Sequence, residues 1–413
     1  MSKLLLKSNK QINLFEDLRA TSQEAIDLTI ESLNTYGKDF DHWQISFSGG
    51  KDSSTVVTLV CDLIKRKLIK RPKTLTVMYA DTRQELPPLE ASARQILKEV
   101  ERRGFNTKIV CAPLDKRFWV YMLGRGVPPP NNNTLRWCTQ QIKLNPMIAA
   151  LSELKKQLNN KPILCLTGVR QGESAARDNR IAFSCSKNGG ECGQGWFQRD
   201  LKFPTLAPIL HWRVCHVWDW LMVDAPEVGF KTEILAECYG GDEAIELEAR
   251  TGCIGCPLAS RDLALENLIK KYPEKWSYLE PLKQIRQWHE WSRKFKNRHQ
   301  QHDERNKNGK RSKNPNRKGP LTLDARKILL ETILNIQAKC NGLKPNNAPK
   351  ICLINHQEEL RIRELIAAKT FPNKWTGEEA LGNALSDMIA SDGTVMPLLP
   401  LDWGAVGLEV ANE

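Results

Sequence analysis

The 413-residue chain has no apolar run approaching the ~20 residues that a membrane-spanning helix needs. Its opening Leu4-Leu5-Leu6 is too short for the apolar core of a secretory signal, so a cytoplasmic protein is expected. No stretch reads Gly, four residues, then Gly-Lys-Ser/Thr, which excludes a Walker-type phosphate loop. Acidic residues are also scarce relative to basic ones. Asp and Glu number 48 against 61 Lys and Arg, a net charge of +13, which favours a polyanionic partner such as nucleic acid. Cysteine, by contrast, is plentiful at twelve residues. Without a secretory signal these are not expected to form a disulfide framework. Core filling, catalysis and the ligation of a metal or cluster remain for them.

The stretch that organises the chain is Ile45-Ser46-Phe47-Ser48-Gly49-Gly50-Lys51-Asp52-Ser53-Ser54. Trp43, Ile45 and Phe47 read as a strand, and Val56, Val57, Leu59, Val60 and Leu63 recur at helical spacing, so a helix should open at Ser53 or Ser54. Strand, glycine turn and helix start together make an anion site. The glycines admit close approach, their N–H groups point at oxygen, and the helix start carries partial positive charge. Ser-Gly-Gly-Lys-Asp-Ser after a strand resembles the PP-loop of the ATP pyrophosphatase superfamily. That resemblance implies cleavage of ATP between its α and β phosphates, with Ser48, Gly49, Gly50, Lys51, Asp52 and Ser53 around the nucleotide and Lys51 and Asp52 in catalysis.

A helix is expected over Ser22–Tyr36, strands over 74–79, 108–111 and 162–169, and a helix over 89–102 between the second and third strands. This alternation predicts an α/β fold: a parallel sheet with helices on both faces, whose ligands sit beyond the carboxyl ends of the strands. The Ser48 loop, Asp81 and Gly168-Val169-Arg170 all fall at such ends. Asp81 suits Mg²⁺ or a nucleotide hydroxyl, or is an ordinary turn aspartate. Asp52 is a further candidate for the metal. Residues 1–35 read as an arm and helix, 36–260 as the nucleotide domain with a cysteine cluster, and 261–413 as a mainly helical, basic region.

Two further constellations carry chemistry. In Thr167-Gly168-Val169-Arg170-Gln171-Gly172-Glu173-Ser174-Ala175-Ala176-Arg177, Gly168 permits close approach and Arg170 and Arg177 offer planar forks suited to phosphate. Glu173 and Arg177 are also spaced as a plain i,i+4 surface pair. Cys253-Ile254-Gly255-Cys256-Pro257 is a Cys-x-x-Cys pair, and Cys138 and Cys238 could complete four ligands for an iron–sulfur cluster or for zinc. Cys185 and Cys192 are a competing pair that could bind metal, relay sulfur or do neither. Cys61, Cys111 and Cys165 lie in apolar elements and read as core.

Gly-x-Arg-x-x-Glu-Ser-x-x-Arg, and Pro208-Ile209 followed by Trp212, Val217 and Trp218, resemble the phosphoadenosine-phosphosulfate reductase branch of that superfamily, or in the latter case simple core packing. Together with Arg136-Trp137-Cys138-Thr139 and the Cys238, Cys253, Cys256 spacing, they look like the DNA phosphorothioation sulfurtransferase family of DndC and the related SspD. The resemblance covers about residues 40–260, although Cys-Ile-Gly-Cys-Pro departs from the Cys-Trp-x-Cys-Thr of DndC. It implies an adenine nucleotide alpha hydrolase-like fold, ATP and Mg²⁺, and a [4Fe–4S] cluster on Cys138, Cys238, Cys253 and Cys256, with zinc the alternative. It also implies Asp81, Gly168 and Glu173 at the nucleotide, Arg170 and Arg177 on developing charge, DNA as substrate, a cysteine desulfurase as sulfur donor and other phosphorothioation-complex subunits as partners.

Three rival readings stand beside it. Reduction of phosphoadenosine phosphosulfate would use a C-terminal Glu-Cys-Gly-x-His, whereas the last cysteine here, Cys352, has no such neighbours. A tRNA thiolase would share the loop, a cluster and a basic surface. A non-catalytic DNA-binding subunit would not need the intact Lys51 loop. Finally, Trp288, Trp291 and Phe295 lead into a run from Arg293 to Lys318 with eleven Lys and Arg. That run reads as a nucleic-acid surface or as a core-facing stripe followed by a solvated linker. Helical patterns resume over 323–338 and 357–367.

Overall fold

The computed structural model describes residues 20–131, 135–173, 175–187, 189–239, 252–259, 261–300 and 318–382, with the backbone of two short strands at 386–389 and 395–398. Ser174, the basic stretch 301–317 and the acidic end beyond Leu398 lie outside the described residues.

Six strands form the central sheet: β1 (His42–Phe47), β2 (Thr74–Asp81), β3 (Asn106–Cys111), β4 (Ile163–Leu166), β5 (Trp196–Gln198) and β6 (Thr205–Ala207), in the order β3-β2-β1-β4-β6-β5. All neighbours run parallel except β5, which pairs antiparallel with β6 and ends the sheet. The expected α/β architecture is therefore present. The two three-residue strands β5 and β6 carry too short a pattern to read from sequence.

The sheet is covered on both faces, and β2 shows how. Val77 and Tyr79 belong to the main core, with Val56 and Val60 of α2 (Lys51–Lys65) and Leu89, Ala93 and Ile96 of α3 (Pro87–Arg102). Met78, one residue out of phase, packs with Val110, Met147, Ala150 and Leu154, the last three from α4 (Asn145–Gln157). Alternation at period two thus sends neighbouring side chains to opposite layers.

The helix α1 (Ser22–Tyr36) runs over the expected residues. Its capping box is complete: Thr21 Oγ1 accepts from the Glu24 amide at 3.2 Å, and Glu24 Oε2 accepts from the Thr21 amide at 2.7 Å. It in turn fixes Trp212, whose indole N–H reaches the Ala25 carbonyl at 3.0 Å and Thr29 Oγ1 at 2.9 Å.

The C-terminal helices Leu323–Leu343 and His356–Ala367 share one apolar core with the sheet's flanking elements, Leu329, Ile333 and Ile362 joining Val120, Met122 and Leu123. Arg326, fully buried, ties them down. Its Nε donates to the Leu123 carbonyl at 2.6 Å, its Nη1 to Thr370 O at 2.9 Å, and its Nη2 to Gly124 O. Trp288 and Trp291 are half-buried against this core and Phe295 is buried in its own right, so the aromatic stripe faces inward. No helix among the described residues is long and apolar enough to cross a membrane.

His289 is buried with its ring stacked on Trp119 at 5.5 Å and edge-on to Phe118 at 5.8 Å. Burial first, and Arg293 and Arg286 after it, push its pKa down to about 3.

Two outcomes follow. Arg326→Ala leaves three carbonyls without their donor and should cost about 3 kcal/mol or more, read as a lower urea midpoint, with Arg326→Lys recovering part of it. For His289, the unfolded imidazole titrates near 6.5 and the folded one at about 3. Between those values only the unfolded chain takes the proton, so this contribution is complete above the upper value and fades as pH falls through the window. His289→Phe should flatten that slope, a difference on the order of 4 kcal/mol between urea melts at the two ends.

Candidate nucleotide site

β1 lies at the centre of the parallel sheet, between β2 and β4. The strand order reverses there, because β2 and β3 extend to one side and β4 to the other. In open α/β sheets this reversal opens a crevice at the carboxyl ends of the strands.

After Phe47 the chain turns through Gly49 at φ +75°, where a Cβ would also sit 3.1 Å from Ala93 Cβ. Gly50 is the extended N-cap, and α2 opens at Lys51, two or three residues before the Ser53 or Ser54 that the sequence suggests. Ser53 does not cap the helix. Its hydroxyl accepts from the Ser48 amide at 3.2 Å, donates to the Gly50 carbonyl at 3.0 Å and lies 3.1 Å from Ser48 Oγ, which folds the loop onto its own helix. Lys51 and Asp52 thereby become first-turn residues, with their N–H groups at the positive end of a 15-residue helix.

Lys51 Nζ is 2.7 Å from Asp52 Oδ2, and Asp52 Oδ1 receives Arg170 Nε at 2.6 Å. Arg170 is 2 % exposed and its Nη1 donates to the Trp212 carbonyl at 3.1 Å. The sequence suggests a guanidinium presented to phosphate; the contacts instead make Arg170 a buried support for Asp52. Gly168 brings the two loops together: a Cβ there would fall 2.7 Å from Asp52 C and 2.8 Å from Asp52 O and Ser53 N. Glu173 accepts from the Arg170 amide at 3.3 Å and forms the i,i+4 pair with Arg177. Arg177, on α5 (Ala175–Lys187), stays partly exposed.

At the end of β2, Asp81 Oδ1 accepts from the Arg83 amide at 3.0 Å and Oδ2 meets Arg94 Nη2 at 3.3 Å. Burial raises its pKa. These are the contacts of a turn aspartate held by a neighbouring helix, and both oxygens are engaged. Next to it Arg83, at φ +61°, reaches Glu358 of a C-terminal helix, which also takes Arg117.

The cysteines divide into groups. Cys253 and Cys256 sit in a tight turn, the Cys256 amide donating to the Cys253 carbonyl at 3.1 Å, and the Ile254 amide docks on the Gln84 carbonyl at 2.8 Å. Burial holds the Cys253 thiol well above its ordinary range, and the charges of Glu85, Cys256 and Cys138 push the same way. Cys138, Cys256 and Glu85 thus lie close enough to Cys253 for their charges to act on its thiol. Cys238 is not among them: it is fully buried in the core, and the charges acting on its thiol are those of Glu237 and Lys275.

Among the described residues no group of three or more His, Cys, Asp or Glu is gathered to hold a metal ion. The expected four-cysteine set is therefore not assembled, because an apolar helix carries its fourth member into the core. Cys185 and Cys192 form a bonded pair. Burial pushes Cys61 and Cys165 up to about 12, as befits core thiols.

Two residues at the site have no sequence signal: Glu85, which belongs to no motif, and Tyr239, whose hydroxyl accepts the Lys51 amide at 3.3 Å. Only the docking of distant segments reveals them.

Gly168→Ala forces a methyl into backbone that cannot yield and should cost about 1–3 kcal/mol, measured by urea unfolding. Gly342→Ala, where the added methyl meets open space, should be neutral or slightly stabilising.

Comparison with known proteins finds similarity over part of the chain. Two uncharacterised proteins of Methanocaldococcus jannaschii are similar to it. One is 26% identical over 283 residues, covering 66% of this chain and 58% of the relative. The other is 27% identical over 246 residues, covering 59% and 42%. The chain thus spans about half the length of these curated relatives. Among solved structures, a phosphoadenylyl-sulfate reductase from Candida auris in a phosphate complex aligns with a TM-score of 0.32 at 13% identity, over 52% of this chain and 95% of that one. The U34-tRNA thiolase NcsA from Methanococcus maripaludis with its [4Fe-4S] cluster aligns with a TM-score of 0.33 at 15% identity, over 65% and 78%. Residues 42–227 match the family model described as the phosphoadenosine phosphosulfate reductase domain.

Proposed function

We propose that the Ser48–Ser53 loop binds the phosphates of ATP and that the protein activates a DNA backbone phosphate by adenylation for replacement of one oxygen by sulfur. The observation that carries the nucleotide half is the loop itself: a glycine turn at the sheet's switch point that delivers first-turn amides and the Lys51 ammonium to one place. The DNA half is supported by the motif order seen in the sequence and by the net charge of +13.

In this reading a non-bridging oxygen of the DNA phosphodiester attacks the α-phosphorus of Mg·ATP. The bond between the α-phosphorus and its bridging oxygen breaks, and pyrophosphate leaves with the electron pair. Lys51 and the first amides of α2 neutralise the leaving charge. Asp52, gripped by Arg170, pairs with the Lys51 ammonium and holds it in place. Hydrosulfide then attacks the activated DNA phosphorus, AMP departs, and the sulfur loses its proton to solvent. A persulfide donor would need two further electrons from an external thiol. Mg²⁺ enters with ATP. The cysteines as placed do not fit a four-cysteine cluster, and no step is routed through one.

The test uses α-labelled ATP, a DNA duplex or single strand, and sulfide supplied or withheld. Without sulfide, labelled AMP should appear on DNA as pyrophosphate is released; with sulfide, mass spectrometry should find phosphorothioate linkages. ADP and phosphate as products would overturn the nucleotide half, and thiolated nucleobases on tRNA would overturn the DNA half. Lys51→Ala should slow pyrophosphate release by about a hundredfold or more, in keeping with loss of one preorganised charge at the leaving group.

A further inference from the structure

The first amide of α2 already has an acceptor, and it does not come from the loop. No side chain of the helix's own start caps it. The Lys51 N–H donates instead to the phenol oxygen of Tyr239, 188 residues further on, at 3.3 Å. The same hydroxyl lies where a Cβ on Gly50 would come within 3.1 Å, so it rests directly on the glycine turn. The Lys51 ammonium stands 5.8 Å from the centre of the Tyr239 ring. Behind it, the Trp218 ring meets Tyr239 edge-on at 5.5 Å, and both residues are buried. Tyr239 ends the helix Glu233–Tyr239, the element that carries Cys238 in the core.

The amide at this position is one that an anion at a helix start requires. A phenol oxygen is a neutral acceptor, whereas a phosphate oxygen makes a charge-assisted bond roughly twice as strong. Both cannot take the same N–H. We propose that Tyr239 is the occupant that a polyphosphate must displace. Its hydroxyl caps α2 until a phosphate oxygen takes the Lys51 amide, and the exchange lifts the end of the helix that holds Cys238. This rests on the reading of the loop as a pyrophosphate site and adds a residue that sets its affinity. It also gives nucleotide binding a mechanical link to the helix Glu233–Tyr239.

The experiment is calorimetric binding of inorganic pyrophosphate, and of ATP, to the full chain and to Tyr239→Phe. That variant keeps the ring against Trp218 and removes only the competing oxygen. Its Kd for pyrophosphate should fall roughly three- to tenfold, the net worth of one neutral hydrogen bond. Equal or weaker binding by Tyr239→Phe overturns the proposal, weaker binding meaning that the phenol donates to the anion. Hydrogen exchange supplies a readout that does not depend on how stable the variant is. Pyrophosphate should speed amide exchange over 235–239 in the wild type and leave it unchanged in Tyr239→Phe; protection of that segment in the wild type counts against displacement. If the wild type binds neither pyrophosphate nor ATP, the nucleotide reading itself fails and Tyr239 falls with it. If the wild type binds and the variant does not tighten, only Tyr239 is lost.

Discussion

The ion chain from Lys51 through Asp52 to Arg170 is the contact on which the rest of the site depends. It joins the first turn of α2 to the loop after β4 across the one place where the strand order reverses. Buried ions are costly unless they are paired and their remaining donors are met. Arg170 meets that condition by spending Nη1 on the Trp212 carbonyl. Trp212 is in turn held by α1, whose Ala25 carbonyl and Thr29 hydroxyl take its indole N–H. A helix that precedes the sheet in sequence thus supports, at two removes, the carboxylate beside the Ser48–Ser53 loop. Gly168 is the steric counterpart of the ion chain, since a side chain there would push the two loops apart.

What could be read from the sequence was what is encoded locally. The strand into Ser48, the helices over Ser22–Tyr36 and from Leu323, and the α/β alternation follow from periodicity within a dozen residues, and the structure has them. The start of α2 was harder to read because Ser53 and Ser54 resemble N-caps. Gly50 takes that place instead, and Ser53 bonds back to the loop. Side-chain direction was not legible. Arg170 looks like a phosphate fork and is turned inward by a partner 118 residues away. Cys238 has the spacing of a ligand and lies in the core, because spacing along a chain says nothing of which face a helix buries. Tyr239 and Glu85 belong to no motif, and tertiary docking alone brings them to the site.

The helix His356–Ala367 holds the segments that follow β2 and β3 by polar contacts laid over an apolar seam. Arg83 and Arg117 converge on Glu358, and Arg361 grips Asp115 with both ends of its fork at 2.7 and 2.9 Å. Arg83 does this from a left-handed backbone conformation that Asp81 stabilises by accepting its amide. Asp81 is therefore better understood as the hinge pin between strand and C-terminal region than as an open metal ligand.

The buried arginines also bear on how the net charge of +13 would act on any polyanion. Arg298 is buried with its guanidinium on the Gly319 and Lys318 carbonyls, Arg326 is buried on three others, and Arg170 is sealed behind Asp52. Their charge still contributes to the long-range field around the protein. None of the three can touch a phosphate or free a condensed counterion. Attraction at a distance and grip on contact are therefore supplied by different cations. The steepness with which salt weakens any such complex should report only the lysines and arginines left at the surface, a smaller set than the formal charge suggests.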